Sequence, residues 1–307
     1  MKKSLFLTTT ALIVVLAIGF AFFKLSAQGP PPGLMIVPSN FEIIVNPGEE
    51  ITRKITIYNN DPRDLDIVPE IRNFTAQGEE GNVTLTSAET GFSLASWIKV
   101  TPAMTTVKSK KSAEFSFTIK VPQNAEPGGH FGSVVLSTVP PPKGTLGETG
   151  AFVVQQVGAL ILTKIPGLVS EAAKLESFTS DKSFYISGPV VFTTRVKNNS
   201  NVHIRPAGTV TVKDLLGNKT VIPIEERNVL PGAIRRIPAT WDNKFLIGKY
   251  TADLALYYGS ANKNLNASVT FYAFPVKEGL IVLAILLIIF FFRKRFFKAL
   301  KVIIIGK

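Results

Sequence analysis

Between Phe41 and Phe274 the chain is a succession of short alternating segments closed by turn residues. That period restricts the fold more than any other feature. Ile51–Tyr58 sets Ile51, Arg53, Ile55 and Ile57 against Thr52, Lys54, Thr56 and Tyr58, the two-residue repeat of a half-buried strand. Asn59-Asn-Asp-Pro62 then stops it with residues that favour turns. Phe41–Val45, followed by Asn46-Pro-Gly48, reads the same way, as do Trp97–Val100, Ala113–Val121, Phe131–Val139 and Ala151–Thr163. Leu65–Ile71 and Val83–Leu85 are weaker strands. Before residue 275 no convincing 3.6-residue apolar period lasts beyond three turns. Many short strands punctuated by Gly, Pro and Asn predict an all-β sandwich.

The pattern restarts after Pro166-Gly-Leu-Val-Ser170. Strands are expected at Ala173–Phe178, Phe184–Ile186, Val190–Lys197, Thr209–Val212, Val221–Ile224, Ala233–Trp241, Tyr250–Tyr257 and Ser268–Phe274. Three signatures recur in the two halves. A strand ends in Asn-Asn at 59–60 and at 198–199. Trp97 and Trp241 each lie between that pair and the late strands. A late strand opens Gly-x-aromatic, at Gly129-His-Phe131 and at Gly248-Lys-Tyr250. Two tandem immunoglobulin-like β-sandwich domains are expected, 34–166 and 167–275, each large enough to bury a core without disulfides.

The ends differ. Residues 1–27 form a basic start and the apolar run Leu5–Phe23, a signal peptide or N-terminal membrane anchor; 28–33 is a Pro/Gly spacer. Gly279–Phe292 is unbroken apolar sequence followed by Arg293-Lys-Arg295. Fourteen residues rise about 21 Å as a helix, short of the roughly 30 Å hydrocarbon core. Lys277, Glu278 and Arg293 can snorkel and Tyr272, Phe274, Phe296 and Phe297 suit an interface. A transmembrane helix over 276–296 with a basic cytoplasmic tail over 297–307 is therefore expected, an interfacial helix being the alternative. Membrane lipid is then a partner through the terminal helices, with the bulk of the chain extracellular.

The net charge of +12 follows from these ends. Residues 28–275 carry 24 Lys and Arg against 21 Asp and Glu, with no concentrated basic face, which argues against nucleic acid as a partner. The chain has no cysteine, which removes disulfides, thiolate metal sites and a lipid-modified cysteine.

Catalytic, cofactor-binding and metal-binding residues are not expected. His130 reads as a solvent-touching turn residue and His203 as the outward face of a strand. No GxSxG, HExxH, P-loop or GxGxxG occurs. Glu49-Glu50, Glu79-Glu80 and Glu225-Glu226 are adjacent pairs, which point to opposite faces of a strand and make poor acid/base dyads. Asp61, Asp64 and Asp66 lack the Gly and bidentate Glu of a calcium loop, and read as a solvated turn. Trp97 and Trp241 read as core rather than sugar platforms. Five Asn-x-Ser/Thr sequons begin at Asn73, Asn82, Asn198, Asn218 and Asn266.

Trp97-Ile-Lys-Val-Thr-Pro102, the alternating phenylalanines after it, and Val121-Pro-x-x-Ala-x-Pro-Gly-Gly-His-Phe-Gly132 resemble the N-terminal domain of WxL-interacting surface proteins. Ala151–Leu162 is similar to that family's closing strand. More loosely, the first domain resembles the PapD-like sandwich. The resemblance implies a membrane-anchored surface protein that holds cell-wall or surface protein partners, or wall polysaccharide, without covalent attachment. The alternative is a chaperone-like assembly factor that accepts a partner's strand at an exposed sheet edge. Val107–Lys111 and Arg235–Pro238 carry the charges or proline of blunted edges. Ala151–Thr163 has neither, so it is an interior strand or an edge that a partner covers, with Val154 and Leu160 as its test positions.

Overall fold

The computed structural model describes residues 33–140 and 153–305, with side chains as far as Arg293. Among the described residues domain 1 holds ten strands: β1 (Leu34–Val37), β2 (Asn40–Ile44), β3 (Glu50–Asn59), β4 (Leu65–Gln77), β5 (Asn82–Thr86), β6 (Ile98–Thr101), β7 (Thr105–Val107), β8 (Ser112–Lys120), β9 (Gly128–Thr138) and β10 (Gln156–Ile165). One sheet runs β1-β3-β8-β6 and the facing sheet β2-β10-β9-β4-β5, with β7 beside β4. Ile55, Ile57, Phe115, Phe117 and Ile119 from the first sheet meet Ile67, Val134, Leu136 and Ile161 from the second, all fully or nearly fully buried. Each such side chain contributes about 1.5–3 kcal/mol when buried.

Domain 2 repeats the plan with β11 (Ala173–Ser180), β12 (Phe184–Tyr185), β13 (Val190–Asn198), β14 (Ala207–Lys213), β15 (Lys219–Ile224), β16 (Ile234–Trp241), β17 (Gly248–Tyr258) and β18 (Lys263–Ala273). Its sheets are β11-β13-β16 and β12-β18-β17-β14-β15. The all-β sandwich expected from the sequence is the architecture observed. Arg235–Pro238 lies in β16, the outer strand of the smaller sheet.

The Asn-Asn signature marks one structural joint made twice. Asn59 is fully buried at the end of β3; its Oδ1 accepts from the Asp61 N–H (2.9 Å) and its Nδ2 donates to the carbonyls of Arg63 (2.7 Å) and Val107 (2.9 Å). Asn198, fully buried at the end of β13, accepts from Ser200 N–H (2.8 Å) and donates to Val202 (2.7 Å) and Val229 (2.8 Å). In both, the side chain bridges residues i+2 and i+4 and pins a distant segment, Val107 of β7 in one and the Val229 loop in the other.

The Gly-x-aromatic signature holds with its register moved by one residue. Gly128 opens β9 opposite Ile165, the last residue of β10, and Gly248 opens β17 opposite Ala273, the last of β18. His130 thereby matches Tyr250, and both point inward. His130 is buried, with its ring 4.4 Å from Trp97 and its nitrogens 3.1 Å from the carbonyls of Ser93 and Glu126. It is not the solvent-touching turn residue expected, because the second glycine extends the strand back past it. Phe131 turns the other way, away from the core.

The tryptophans sit on these matched positions but arise from unlike elements. Trp241 ends β16 and is buried edge-on to Tyr250 at 5.3 Å. Trp97 closes a single helical turn before β6 and is only partly buried.

After domain 2, α1 (Val276–Ile305) follows. No helix among the described residues is long and apolar enough to cross a membrane. The transmembrane helix expected over 276–296 therefore finds no support: its apolar run stops at Gly279 and Phe292, between Lys277-Glu278 and Arg293. The N-terminal apolar run lies outside the described residues.

Candidate functional site

Two neighbouring features stand out, an open sheet edge on β10 and a cavity between the domains. Both arise because the first strand changes sheets. β1 pairs antiparallel with β3 in one sheet; after Pro38-Ser39 the chain crosses, and β2 pairs parallel with Leu160–Lys164 of β10 in the other. β10 is thus an interior strand over its second half, flanked by β9 and β2. Over Gln156–Ala159 it pairs with β9 alone.

Two bonds fix which backbone groups face that edge. Leu160 N–H donates to Ser39 O at 3.0 Å on the β2 side, while Gln155 O accepts from Thr138 N–H at 3.0 Å on the β9 side. Successive residues alternate, so the amides of Gln156 and Gly158 face the open side. Before them Val153 and Val154 are exposed, and Gly158 is exposed, a Cβ there reaching only ordinary contact with Val134 and Val135 at 3.8 Å. Gln155 lies 3.4 Å from the Asp61 carboxylate, which the Arg63 hydrogen bond holds below the usual carboxylate range. The stretch Ala151–Thr163 is therefore both things at once: interior from Leu160, edge before it. Ala151 and Phe152 lie outside the described residues.

Leu160 does not belong to the edge. Its side chain joins Leu162, Phe74 and Phe131 on the outer face of the sheet, against Leu230 of domain 2. Phe131 also meets the His203 ring edge-on at 5.9 Å. His203 accordingly faces domain 1 rather than solvent, and burial pushes its pKa down.

A clasp of ion pairs borders this apolar contact. The β4–β5 turn reaches across to domain 2, where Glu79 accepts from Arg195 Nε at 2.7 Å and from its Nη2 at 2.5 Å, a two-point pairing. The Glu79 carbonyl accepts from Arg236 N–H at 2.8 Å on the outer edge of β16, and Glu80 pairs with the Arg236 side chain at 3.0 Å. Opposite, Asn228 donates to Glu42 at 2.6 Å, and Arg205 pairs with Glu226 at 3.0 Å. Glu79 and Glu80 lie in the β4–β5 turn, outside strand alternation, and both pair across the domain boundary, with Arg195 and Arg236, which are cross-strand neighbours in β13 and β16. Asp64 accepts from Lys108 and from the Ser109 N–H, both at 2.8 Å, and Asp66 accepts from Thr106 at 2.6 Å.

Between the hairpin and the apolar patch lies a cavity of about 290 Å³. Phe74, Leu160, Leu162 and Leu230 line it, with Arg227 and Arg235 among its polar groups. No sequence motif announces it, since its walls come from residues more than a hundred positions apart.

No family model and no curated protein matches the chain, so the likeness to WxL-interacting surface proteins stays without support. Among solved structures, the class 5 fimbriae chaperone CfaA is 14% identical with a TM-score of 0.40, covering 78% of this chain and 99% of that one. The CsuC–CsuE chaperone–tip adhesion subunit complex of Acinetobacter baumannii is 12% identical with a TM-score of 0.37, covering 78% and 99%. A PapD-like domain of human CEP192 is 12% identical with a TM-score of 0.30, covering 46% and 91%. At those scores the chain's own strand arrangement remains the basis for what it does.

Proposed function

We propose that this chain is a protein-binding module that accepts an extended segment of a partner along Val153–Ala159. The observation that carries the reading is the half-paired β10: its Gln156 and Gly158 amides face a side on which no strand among the described residues pairs with them, β1 lying beside it without a ladder. Strand addition supplies backbone hydrogen bonds for affinity and alternate side-chain positions for specificity. Unlike most natural edges, this one has neither charge nor proline. An assembly factor that receives a partner strand fits this better than a permanent scaffold, because the edge is short and reversible pairing suffices.

A photo-crosslinking residue at Gln156, in the native cell, should trap a partner through an extended segment. Gly158→Pro removes only the outward N–H and should abolish the adduct without lowering the melting temperature by more than a few degrees. Persistence of the adduct in Gly158→Pro would sink the strand-addition reading. Val154→Lys should weaken capture. Leu160→Lys tests the domain contact instead.

For location, we propose that residues 28–275 lie outside the membrane and that α1 enters lipid to the depth its fourteen apolar residues allow. Leu280–Phe292 is exposed along its length, and a helix apolar on all sides needs an apolar environment. Protease added to intact spheroplasts should digest the sandwich domains; full protection would place them inside.

A further inference from the structure

We propose that the cavity between the domains binds a small aliphatic carboxylate, its chain on Phe74, Leu160, Leu162 and Leu230 and its anionic head on Arg235. The charge pattern selects the anion. Five arginines of domain 2 stand at or beside this boundary. Arg195, Arg205, Arg227 and Arg236 each pair with a carboxylate: Glu79, Glu226, Glu225 and Glu80 respectively. Arg235 alone of the five pairs with none among the described residues, and its Nε is buried without a hydrogen-bond partner. A guanidinium does not lose its proton in a protein, so the charge remains and calls for an acceptor.

The chain geometry keeps that charge at the cavity. Arg235 lies flat on Gly81 of the β4–β5 turn, where an added Cβ would fall 1.2 Å from its Nη1. The glycine is what lets the guanidinium approach the domain 1 backbone. Beside it Phe74, Leu160, Leu162 and Leu230 supply an apolar wall, and the Glu225 carboxylate that also lines the cavity is already paired with Arg227 at 2.7 Å, so an apolar body with one anionic end matches both halves of the site. At about 290 Å³ the space lies at the small end for ligand pockets and suits a single short chain.

The test uses the full chain in phospholipid nanodiscs, with empty nanodiscs as the blank so that lipid partitioning is subtracted. Octanoate and octanamide share one shape and differ in charge. Ligand-observed NMR titration should show octanoate binding at least tenfold tighter than octanamide. In Arg235→Gln that ratio should fall to about one, while Arg236→Gln, whose arginine already has Glu80, should leave it unchanged. Equal binding of acid and amide to the wild-type chain would overturn the assignment, and that comparison stands whether or not the variant folds. A leucine-terminated tripeptide acid displacing octanoate at lower concentration would also overturn it, by moving the site to a protein ligand. Loss of this binding leaves the β10 edge reading untouched, since Gly158→Pro and Arg235→Gln alter separate surfaces.

Discussion

In domain 1 the sheet-switching strand covers five residues of β10, whereas in domain 2 its counterpart β12 covers only two of β18, Tyr272 and Ala273. Lys263–Phe271 is thus the longer half-paired stretch. Its outward side chains are Asn264, Asn266, Ser268 and Thr270, with Lys263 at its start, and all are exposed. The open part of β10 is shorter but is preceded by two exposed valines. The comparison teaches that edge length does not mark a binding edge. A polar, lysine-tipped edge is well solvated and resists casual pairing, while an uncharged one with apolar side chains gains from being covered. An Asn266→Pro variant, matched to Gly158→Pro, should leave partner capture intact.

The two tryptophans offer the largest effect by which to break the equivalence of the domains. Trp241 is buried among Tyr250 and Phe271, so Trp241→Ala should cost about 3–5 kcal/mol. Trp97 is partly exposed against His130, so Trp97→Ala should cost about 1–2 kcal/mol. Calorimetry resolving the two domains checks both. Equal losses would mean that the helical turn at Trp97 is as firmly packed as a core strand.

How much of this was legible follows from what each signal encodes. Ile51–Tyr58 was readable because burial on one face imposes period two within a single strand. The asparagines were readable as a repeated pair, though their importance lies in bonds to Val107 and Val229 that no local pattern carries. The glycine signature misled by one residue, since Gly128 and Gly129 are adjacent and only the pairing with Ile165 shows which opens the strand. His203 and Phe131 looked unrelated because their contact joins two domains. Glu79 and Arg195 stand 116 residues apart, beyond any periodicity. The five sequons do not reveal accessibility: Asn73 and Asn198 are buried, Asn73 accepting from the Leu94 and Ala95 amides, whereas Asn82, Asn218 and Asn266 are exposed.

The asparagine joints sharpen the comparison in the opposite direction, since here the domains should behave alike. Removing either side chain takes a partner from one N–H and two carbonyls, of which Val229 O keeps the Ile204 N–H, and costs about 2–3 kcal/mol net. Asn59→Ala should lower the domain 1 transition and Asn198→Ala the domain 2 transition by similar amounts. If one variant loses less than about 0.5 kcal/mol, water replaces that side chain and the joint is not equivalent in the two copies.

The smallest effect concerns the clasp that makes two similar domains one unit. The Arg195 hydrogen bond, and then the charges of Arg195 and Arg236, hold the Glu79 carboxyl below its ordinary range. A carboxylate depressed in the folded state contributes stability that is fully present above its unfolded value, about 4.3, and lost as pH falls through the folded one. Coupling between the domains should therefore be constant from neutral pH to about 5 and weaken below about 4, seen as one calorimetric transition separating into two. Glu79→Gln keeps the shape but not the charge, so it should flatten this pH dependence while leaving the Arg236 N–H bond to the residue 79 carbonyl. Because the pair is partly solvent-accessible, raised salt should mimic part of the loss. If the acid splitting persists unchanged in Glu79→Gln, the domains are held together by the Phe74–Leu162–Leu230 contact instead, and the ion pairs merely border it.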